Sequence, residues 1–377
     1  MPGIPVRVLI FLPTTGFGGA ERTILNLITH TDSSQVEIVL VTHAVVYSGV
    51  SVPVLDLSDY GLASGYAGIR RTWRDAFRLV QLAREHKCQV ILGFLHYGAI
   101  AASWARLLSG NQIKVIASPR TPSRAGIAFH VPTQRARLEW HAQVNVLARL
   151  AHRVIVATEG LKTELVEHYG ARKEHIHVIA NAMDKERIAS IAATKIEKDI
   201  PLIVTSGRLA PEKDIGTLLH AFALVRAQMP CRLTLLGEGP ERSALEATAR
   251  ELGVDQDVVF HGFHAEPFAI IKSADVFVHT SRFEGFGNVL IEAMACSVPI
   301  VATDCDFGPR EIIQHGENGL LVPPNDPDAL ALAILTVLND HALAARMVES
   351  ANTGLGRYAP NVMTRDYERA IIDLAQG

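Results

Sequence analysis

Short apolar runs alternate with amphipathic stretches along most of this chain. Several runs consist of Val, Ile and Leu without interruption, which is typical of strands covered on both faces, as in parallel sheets. The stretches between them have the spacing of helices. The predicted strands are residues 6–12, 36–42, 52–57, 89–95, 114–118, 153–157, 177–180, 202–206, 232–236, 258–261, 276–279, 300–302 and 320–322.

The alternation pauses once, in the polar, helix-prone segment 181–199, and then starts again. Strand–helix alternation favours parallel sheets with helices on both sides. We therefore predict an α/β protein of two doubly wound, Rossmann-like domains that face each other across a cleft. The predicted domains are residues 1–180 and 181–360. Residues 361–377 have the apolar spacing of a helix, which we expect to pack back on the first domain.

Composition restricts the class of protein. The 377 residues are 48% hydrophobic and 20% charged, as in folded globular proteins. No apolar run approaches the ~18 residues of a membrane span, so we expect a cytoplasmic protein. The four cysteines are scattered and indicate free thiols. Residues 1–180 carry a net charge of +7 and residues 181–377 a net of −10, so the first half suggests an anionic partner or surface.

Candidate chemistry lies where predicted strands of the second half end, because ligands of such sheets bind beyond the carboxyl ends of the strands. Ser206 ends one strand, and Arg208 and Lys213 flank the turn that follows it. A guanidinium and an ammonium could together neutralise a diphosphate, although the two could also be ordinary surface cations. Asp214 is a good residue to cap the next helix.

Two further turns follow the next two strands. Gly237-Glu238-Gly239-Pro240 allows a ligand to approach the backbone closely, or is a plain strand-to-helix turn. Gly262-Phe263-His264 could offer backbone groups and an apolar face to a nucleotide base.

The segment Glu284-Gly-Phe286-Gly287-Asn288-Val289-Leu-Ile-Glu292 carries the most specific pattern. A buried strand ends just before it, and a helix is predicted from about Asn288. The free N–H groups of Gly287, Asn288 and Val289 would form an anion site for a phosphate. Glu284 and Glu292 could accept hydrogen bonds from sugar hydroxyls, or could be loop and helix-surface carboxylates.

This segment resembles the Glu-x7-Glu signature of glycosyltransferase family 4, whose members are retaining enzymes of the GT-B fold. The resemblance extends over nearly the whole chain. It also includes the glycine loop 16–22, the Arg208–Lys213 turn, the Gly-Glu-Gly-Pro turn and Glu317-Asn318-Gly319. Each motif alone is weak, but their order and spacing together are highly specific.

The resemblance implies a role for each candidate residue. Arg208 and Lys213 would bind the donor diphosphate, Glu284 the hydroxyls of the transferred sugar, and Glu292 the ribose. Phe263 and His264 would meet the base. The donor pocket would be completed by Glu238, Phe286, Gly287, Asn288 and Val289.

In the first half, glycines of the loop 14–21, among them Gly18 and Gly19, would let backbone N–H groups approach a phosphate or sugar. A Rossmann dehydrogenase is the competing class. Its GxGxxG fingerprint needs a third glycine where Glu21 stands, and no acid follows the next strand, which ends in Val41-Thr-His43.

Many relatives in the family carry a first-domain histidine near the reacting sugar. Here the strand 114–118 is followed by Pro119 and Arg120 without a histidine, so His96, after the preceding strand, is the alternative. We take both His96 and Arg120 as candidate catalytic residues. Arg120 could place positive charge near a leaving diphosphate or an acceptor phosphate.

Two basic stretches of the first half contain aromatic residues. One spans residues 70–78, with Trp73 and Phe77, and the other spans residues 120–153. Such stretches suit peripheral attachment to the anionic inner face of the plasma membrane, and also a polyprenyl-diphosphate-linked acceptor. Salt-bridged surface helices are the alternative.

The resemblance implies retention of configuration. The sequence and the resemblance together predict a metal-independent hexosyltransferase. It would move a sugar from a nucleotide-diphosphate donor, which we expect to be a UDP-sugar, to a glycan or lipid-linked glycan in cell-surface polysaccharide or glycoconjugate synthesis. The first domain would bind the acceptor and the second the donor. We expect no cofactor, no metal and no nucleic acid. A GT-B sugar-nucleotide epimerase and a non-catalytic nucleotide-sugar-binding protein remain alternatives.

Overall fold

The computed structural model describes residues 4–14, 18–43, 47, 49–65, 68–192 and 198–377. The chain divides into two units. One comprises Met1–Ala182 together with Pro360–Gly377, and the other comprises Met183–Ala359. Each unit contains its own parallel sheet with helices between most successive strands, so the predicted fold class of two doubly wound domains is confirmed. Part of the predicted connection, residues 193–197, lies outside the described residues.

The first domain is built on a sheet of order β3-β2-β1-β4-β5-β6-β7. Its strands are β1 (Val6–Phe11), β2 (Val36–Thr42), β3 (Val54–Asp56), β4 (Val90–Phe94), β5 (Lys114–Ser118), β6 (Arg153–Val156) and β7 (Ile176–Val178). Its helices are α1 (Gly19–His30), α2 (Ile69–Glu85), α3 (Leu95–Leu108), α4 (Ser123–His130), α5 (Gln134–Leu150) and α6 (Glu159–Tyr169).

The second domain repeats this order, as β10-β9-β8-β11-β12-β13. Its strands are β8 (Leu202–Ser206), β9 (Arg232–Leu236), β10 (Val258–Gly262), β11 (Val276–His279), β12 (Ile300–Thr303) and β13 (Leu320–Val322). Its helices are α7 (Lys185–Ile191), α8 (Ile215–Arg226), α9 (Arg242–Glu251), α10 (Phe268–Lys272), α11 (Asn288–Ala295), α12 (Pro309–Ile312), α13 (Pro327–Asn339) and α14 (His341–Gly354).

Burial on both faces explains the apolar strands. Val8, Ile10 and Leu12 belong to one core cluster of the first sheet, whereas Leu9 and Phe11 belong to the cluster on its other face. Successive side chains of a strand point to opposite faces, so a strand covered by helices on both sides must be apolar at every position. The second sheet has a comparable core.

The last helix, α15 (Pro360–Gln376), belongs to the first domain. Its residues Met363, Tyr367 and Ile371 recur at helical spacing and pack into a core cluster of the first sheet. Arg153 also donates a hydrogen bond to the Ala370 carbonyl. The prediction that the C-terminal helix returns to the first domain is confirmed.

Candidate active site

The strand order of the second sheet reverses between β8 and β11. β8 pairs with β9 on one side and with β11 on the other, and all three strands run parallel. The helices that follow two neighbouring strands at such a switch point depart to opposite faces, which opens a crevice at the carboxyl ends. The turn after β8 and the loop after β11 therefore meet at the edge where a ligand is expected.

Hydrogen bonds join these two segments. Thr280 Oγ1 donates to the Lys213 carbonyl at 2.8 Å, and the Arg282 N–H donates to the Glu212 carbonyl at 2.9 Å. The Arg282 guanidinium also donates to Asp214 Oδ1 at 3.0 Å. Asp214 precedes α8, as predicted, but its carboxylate does not cap the helix backbone, because the residue adopts a left-handed conformation with φ 49°. The carboxylate instead fixes one segment to the other.

Glu284 lies at the centre of this junction. The Lys213 ammonium donates a hydrogen bond to Glu284 Oε1, and Ser281 Oγ donates to the same oxygen at 2.8 Å. His279 Nε2 lies 3.3 Å from that oxygen as well, without hydrogen-bond geometry. Burial alone would raise the pKa of Glu284, but the Lys213 ammonium and His279 outweigh it and hold the pKa well below its usual range. Glu284 is therefore ionised at neutral pH.

Helix α11 begins directly beyond Glu284. Its N-cap is Gly287, which has φ 95° and supplies no side-chain cap to the first turn. The backbone of Asn288 and Val289 begins the helix, so the positive end of its dipole lies at this loop. Phe286 is buried and packs edge-to-face on Tyr358, with ring centroids 5.7 Å apart. Glu292 is also buried, in the second turn of the helix.

Gly308 explains why the loop after β12 can support this segment. A Cβ atom at Gly308 would lie 2.5 Å from the Phe286 carbonyl oxygen and 3.0 Å from Glu284 Cβ. Its φ of 44° also favours glycine. Only glycine lets the backbone after β12 approach so closely, and this contact fixes the loop that carries Glu284.

Arg208 differs from Lys213 in its surroundings. It is exposed, and its guanidinium has no hydrogen bond or ion pair with any residue that the structure describes. Lys213 is only partly exposed and is already paired with Glu284. The structure thus places two cations on one turn, one paired with a carboxylate and one open to solvent.

The glycines of the next turn serve the fold. A Cβ atom at Gly237 would lie 1.8 Å from the Gly207 carbonyl oxygen, and one at Gly239 would lie 2.1 Å from the Leu209 carbonyl oxygen. The backbone that approaches closely is therefore the chain itself. Glu238 forms an ion pair with Arg242, so this predicted donor residue is engaged within its own turn and helix.

Phe263 and His264 follow β10. Phe263 is 59% exposed, which is unusual for a phenylalanine and leaves an apolar face available. His264 Nε2 lies 2.8 Å from His261 Nδ1, so one ring nitrogen donates and the other accepts. The structure thus places an exposed aromatic ring and an imidazole pair at this strand end.

In the first domain, α1 begins at Gly19 and has Gly18 as its N-cap. The Gly18 N–H donates to Glu21 Oε2 at 2.8 Å, so the side chain of Glu21 already occupies this predicted ligand group. The Gly19 carbonyl accepts a hydrogen bond from Thr23 Oγ1. Residues 15–17 of the predicted glycine loop lie outside the described residues.

His96 is in the first turn of α3, directly after β4. Its Nε2 lies 2.8 Å from Ser123 Oγ and its Nδ1 lies 3.3 Å from Thr121 Oγ1. Burial lowers the pKa of His96 to about 4, so the imidazole is neutral at pH 7. Leu95 before it has φ 61°, a strained conformation for a branched residue, and such strain is common at functional sites.

Arg120 is buried rather than open to a ligand. Its guanidinium donates to Ser118 Oγ at 3.3 Å, to the Tyr367 hydroxyl at 3.1 Å and to Asn181 Oδ1, and it lies over the Phe94 ring. These contacts join β5 to the C-terminal helix within the first domain. The predicted position near a phosphate would require Arg120 to leave partners on which the fold depends.

Sequence comparison agrees with the geometry. Residues 17–187 match the model of Glycosyltransferase Family 4, and residues 186–353 match that of Glycosyl transferases group 1. Together the two models cover nearly the whole chain. The chain is a glycosyltransferase with a Glycosyltransferase Family 4 domain followed by a Glycosyl transferases group 1 domain.

Relatives of this glycosyltransferase include enzymes of similar length. It is 26% identical to the N-acetylgalactosamine-N,N'-diacetylbacillosaminyl-diphospho-undecaprenol 4-alpha-N-acetylgalactosaminyltransferase of Campylobacter jejuni, over 95% of this chain and 97% of that protein. It is 25% identical to the lipopolysaccharide 1,6-galactosyltransferase of Salmonella typhimurium, over 83% of this chain and 84% of that one. The Anabaena protein HepE, solved with UDP and glucose, has the same fold, with a TM-score of 0.78 and 22% identity over 97% of this chain and 99% of HepE.

Four residues of the junction were not assigned a role from the sequence of this glycosyltransferase. They are His279, Thr280, Ser281 and Arg282. Polar residues at the carboxyl end of an apolar strand are the signal that could have indicated them. The sequence alone does not show which groups of the junction these residues contact.

Two structural observations concern other classes of site. Within the described residues, no group of three or more His, Cys, Asp or Glu could hold a metal ion. In the same part of the chain, no single helix is long and apolar enough to span a membrane, and only one sharply bent helix pair has the length and composition to do so.

Proposed function

We propose that this glycosyltransferase transfers a hexose from a UDP-sugar, with retention of configuration, to a hydroxyl of a lipid-linked or lipopolysaccharide-type glycan. The observation that carries the proposal is the ionised Glu284 at the switch point of the second sheet, paired with Lys213 and placed before the N-terminus of α11. A carboxylate for sugar hydroxyls thus adjoins a cation and helix N–H groups for phosphates.

Each part of the donor has a candidate partner at this edge. Glu284 would accept hydrogen bonds from the transferred sugar, and Glu292 from the ribose. Lys213 and exposed Arg208 would neutralise the diphosphate together with the first N–H groups of α11, without a metal ion. Phe263 would cover the base. UDP in the HepE complex supports uridine as the base.

The mechanism that we propose is front-face displacement. The sugar–phosphate bond breaks while the acceptor hydroxyl attacks from the same face, and the leaving phosphate helps to accept the hydroxyl proton. The charge that develops on the diphosphate is stabilised by Arg208 and Lys213, an electrostatic contribution that can be worth several kcal/mol in a site shielded from water.

The names of two relatives support the acceptor class. The Campylobacter jejuni enzyme acts on a diphospho-undecaprenol-linked sugar, and the Salmonella typhimurium enzyme on lipopolysaccharide. We propose that this chain likewise extends a glycan that is carried by a lipid. His96 and Arg120 remain predictions for the first domain, and the hydrogen bonds of Arg120 favour His96 of the two.

To test the donor assignment, the protein is titrated with UDP, GDP and ADP in a calorimeter, in the presence of EDTA. We expect UDP to bind most tightly and UDP-hexoses to be turned over only with a glycan acceptor. Turnover of the UDP-sugar to an epimer without acceptor would indicate an epimerase instead. Donor binding with neither transfer nor hydrolysis would indicate a non-catalytic binding protein.

We also propose that α2 holds this enzyme on an anionic membrane face. Ile69, Trp73 and Phe77 recur every four residues along α2 and are 43%, 42% and 55% exposed. Arg74 and Arg78 lie beside them and line a surface pocket of about 290 Å³ together with Phe77. An exposed apolar stripe bordered by arginines suits insertion at the level of lipid headgroups.

Vesicle sedimentation tests this contact. We expect binding to phosphatidylglycerol vesicles at low salt that weakens with salt, and a loss of about tenfold or more in the Trp73→Ser, Phe77→Ser double variant. Leu332→Ser is the control, because Leu332 is 67% exposed on α13 of the other domain. Equal binding by the double variant and the control would refute a role of α2 at the membrane.

A further inference from the structure

His279 is a buried polar residue with an unused hydrogen-bonding atom. It ends β11 and is 3% exposed. Its Nε2 is fully buried and has no hydrogen-bond partner within the described residues. Buried side-chain nitrogens are nearly always hydrogen-bonded, because desolvation without a partner costs free energy. An unused atom of this kind at the edge of a ligand site calls for a physical explanation.

The neighbouring carboxylate shows why the atom is unused. Lys213 Nζ and Ser281 Oγ both donate to Glu284 Oε1, and His279 Nε2 lies 3.3 Å from the same oxygen. Oε2 receives no hydrogen bond from any described residue. His279 is thus a third potential donor on an oxygen that Lys213 and Ser281 already occupy.

Donor binding changes this competition. If Lys213 binds the diphosphate, as in the proposed function on which this inference rests, the ammonium must be shared with or moved to the phosphates. Glu284 is ionised and its side chain is only 13% exposed, and a largely buried carboxylate that loses its cation loses much of the compensation for desolvation. A replacement donor within reach would offset that loss.

We propose that His279 takes the place of Lys213 on Glu284 when the diphosphate binds. A small movement of the carboxylate or the imidazole then makes Nε2–H donate to Oε1. An imidazole N–H can supply this hydrogen. His279 is a positioning residue in this exchange. It keeps Glu284 ionised, with Oε2 directed to the sugar, and lets Lys213 leave at low cost.

Binding of UDP tests the exchange, because UDP contains the diphosphate but lacks the transferred sugar that Glu284 would bind. Titration calorimetry would compare wild type, His279→Leu, Glu284→Gln and the double variant. We expect His279→Leu to weaken UDP binding about tenfold, the effect of losing a hydrogen bond to a charged group. Glu284→Gln should bind UDP at least as tightly as wild type, because its neutral amide releases Lys213 more easily.

The coupling between positions 279 and 284 distinguishes the proposed exchange from a role of His279 in packing alone. In the Glu284→Gln background, His279→Leu should have almost no effect, since no buried charge is left to compensate. His279→Gln is the matched control, because its amide keeps an N–H donor near the position of Nε2. It should restore UDP affinity to within about threefold of wild type.

Two outcomes would overturn the exchange. One is an equal loss of affinity from His279→Leu in both backgrounds, which indicates a role in packing alone. The other is full UDP affinity in His279→Leu. Should His279→Leu not fold, His279→Asn replaces it, because the shorter amide does not reach Oε1. A wild type that binds none of UDP, GDP and ADP would instead refute the proposed donor, and the exchange with it.

Discussion

The two sheets share one strand order, but their carboxyl edges are used differently. At the switch point of the second sheet, Lys213 and Glu284 form an ion pair beside exposed Arg208. At the corresponding edge of the first sheet, Glu21 caps the helix after β1, and the Arg120 guanidinium is held by polar groups of its own domain. The same topology therefore supports a charged site in one domain and a largely self-satisfied network in the other.

This difference shows that the topology determines where a site can form, whereas the side chains determine whether that edge binds a ligand. A strand end at a switch point leaves polar backbone and side-chain groups near solvent. Where the chain supplies partners for these groups, as with Arg120, the edge contributes to stability. Where it supplies a carboxylate oxygen and a guanidinium that no described side chain contacts, as with Glu284 and Arg208, the edge can bind a ligand.

The largest effect that we predict is on catalysis, and it tests whether the carboxyl edge of the second sheet is the active site. We expect Glu284→Gln and Lys213→Ala each to lower kcat/KM for sugar transfer by roughly 10²–10³-fold, because each removes a group preorganised at the reacting sugar or diphosphate. The fold should persist, as measured by circular dichroism and thermal unfolding. Steady-state kinetics with a UDP-sugar and a glycan acceptor gives the ratio.

Lys198→Ala is the matched control. Lys198 pairs with Asp275 in the same domain, with similar burial of the lysine, but Asp275 precedes β11 and lies at the amino end of the sheet. We expect its kcat/KM to stay within about threefold of wild type. If Lys198→Ala and Lys213→Ala lose activity equally, the carboxyl edge has no special role.

Most of the fold could be predicted from the sequence because its strands are apolar on both faces. The run Val8 to Phe11 alone indicates a parallel, covered strand, and each run predicted in this way is a strand. Strand ends differ by a residue or two, as between the predicted segment 52–57 and β3, because end residues lack the ladder hydrogen bonds that define a strand.

The site could be predicted as a set of segments but not as a set of contacts. The motif around Glu284 indicates a loop before a helix, and α11 begins at Asn288 as its glycine-bearing turn suggests. The motif does not indicate that Lys213 reaches Glu284, because that contact joins residues 71 positions apart. It also does not reveal that Gly237 and Gly239 face the chain's own backbone, since the same residues would suit a ligand.

The next largest effect is on the free energy of unfolding, and glycine substitutions at the two edges allow a direct comparison. We expect Gly237→Ala to destabilise the second domain by about 3 kcal/mol, because its Cβ would overlap the Gly207 carbonyl oxygen at 1.8 Å. Gly18→Ala should cost under ~1 kcal/mol, because Gly18 has an extended φ of −159° and its Cβ would meet only Glu21 Oε2, at 3.4 Å. Chemical denaturation measures both.

Gly216→Ala is the control for replacing a glycine in general. Gly216 lies on α8 with nothing within 4 Å of its added Cβ, so alanine should stabilise the helix by up to ~1 kcal/mol. A Gly237→Ala protein as stable as Gly18→Ala would mean that the second edge is not held by backbone contact.

The smallest effect concerns how the two domains respond to acid. Burial lowers the pKa of His96 and of His152 to about 4, and it also lowers the pKa of His141 and His177, all in the first domain. An unfolded histidine binds a proton below about pH 6.5. The unfolded first domain therefore binds more protons than the folded one between about pH 6.5 and 4, and its stability falls as the pH falls through that window.

Glu284 in the second domain acts in a different window. Its pKa is depressed in the folded state, so the stability that it contributes is fully present above the unfolded value of about 4.3 and is lost only as the pH falls below that value. We therefore expect the free energy of opening of β4 and β5 to fall by roughly 1 kcal/mol between pH 7 and pH 5, after allowance for solvent screening. The free energy of opening of β8 and β11 should fall by less. Hydrogen exchange, corrected for intrinsic rates, measures both. His96→Gln should reduce the loss in the first sheet without changing the second. Equal losses in both sheets would show that these first-domain histidines do not distinguish the two domains.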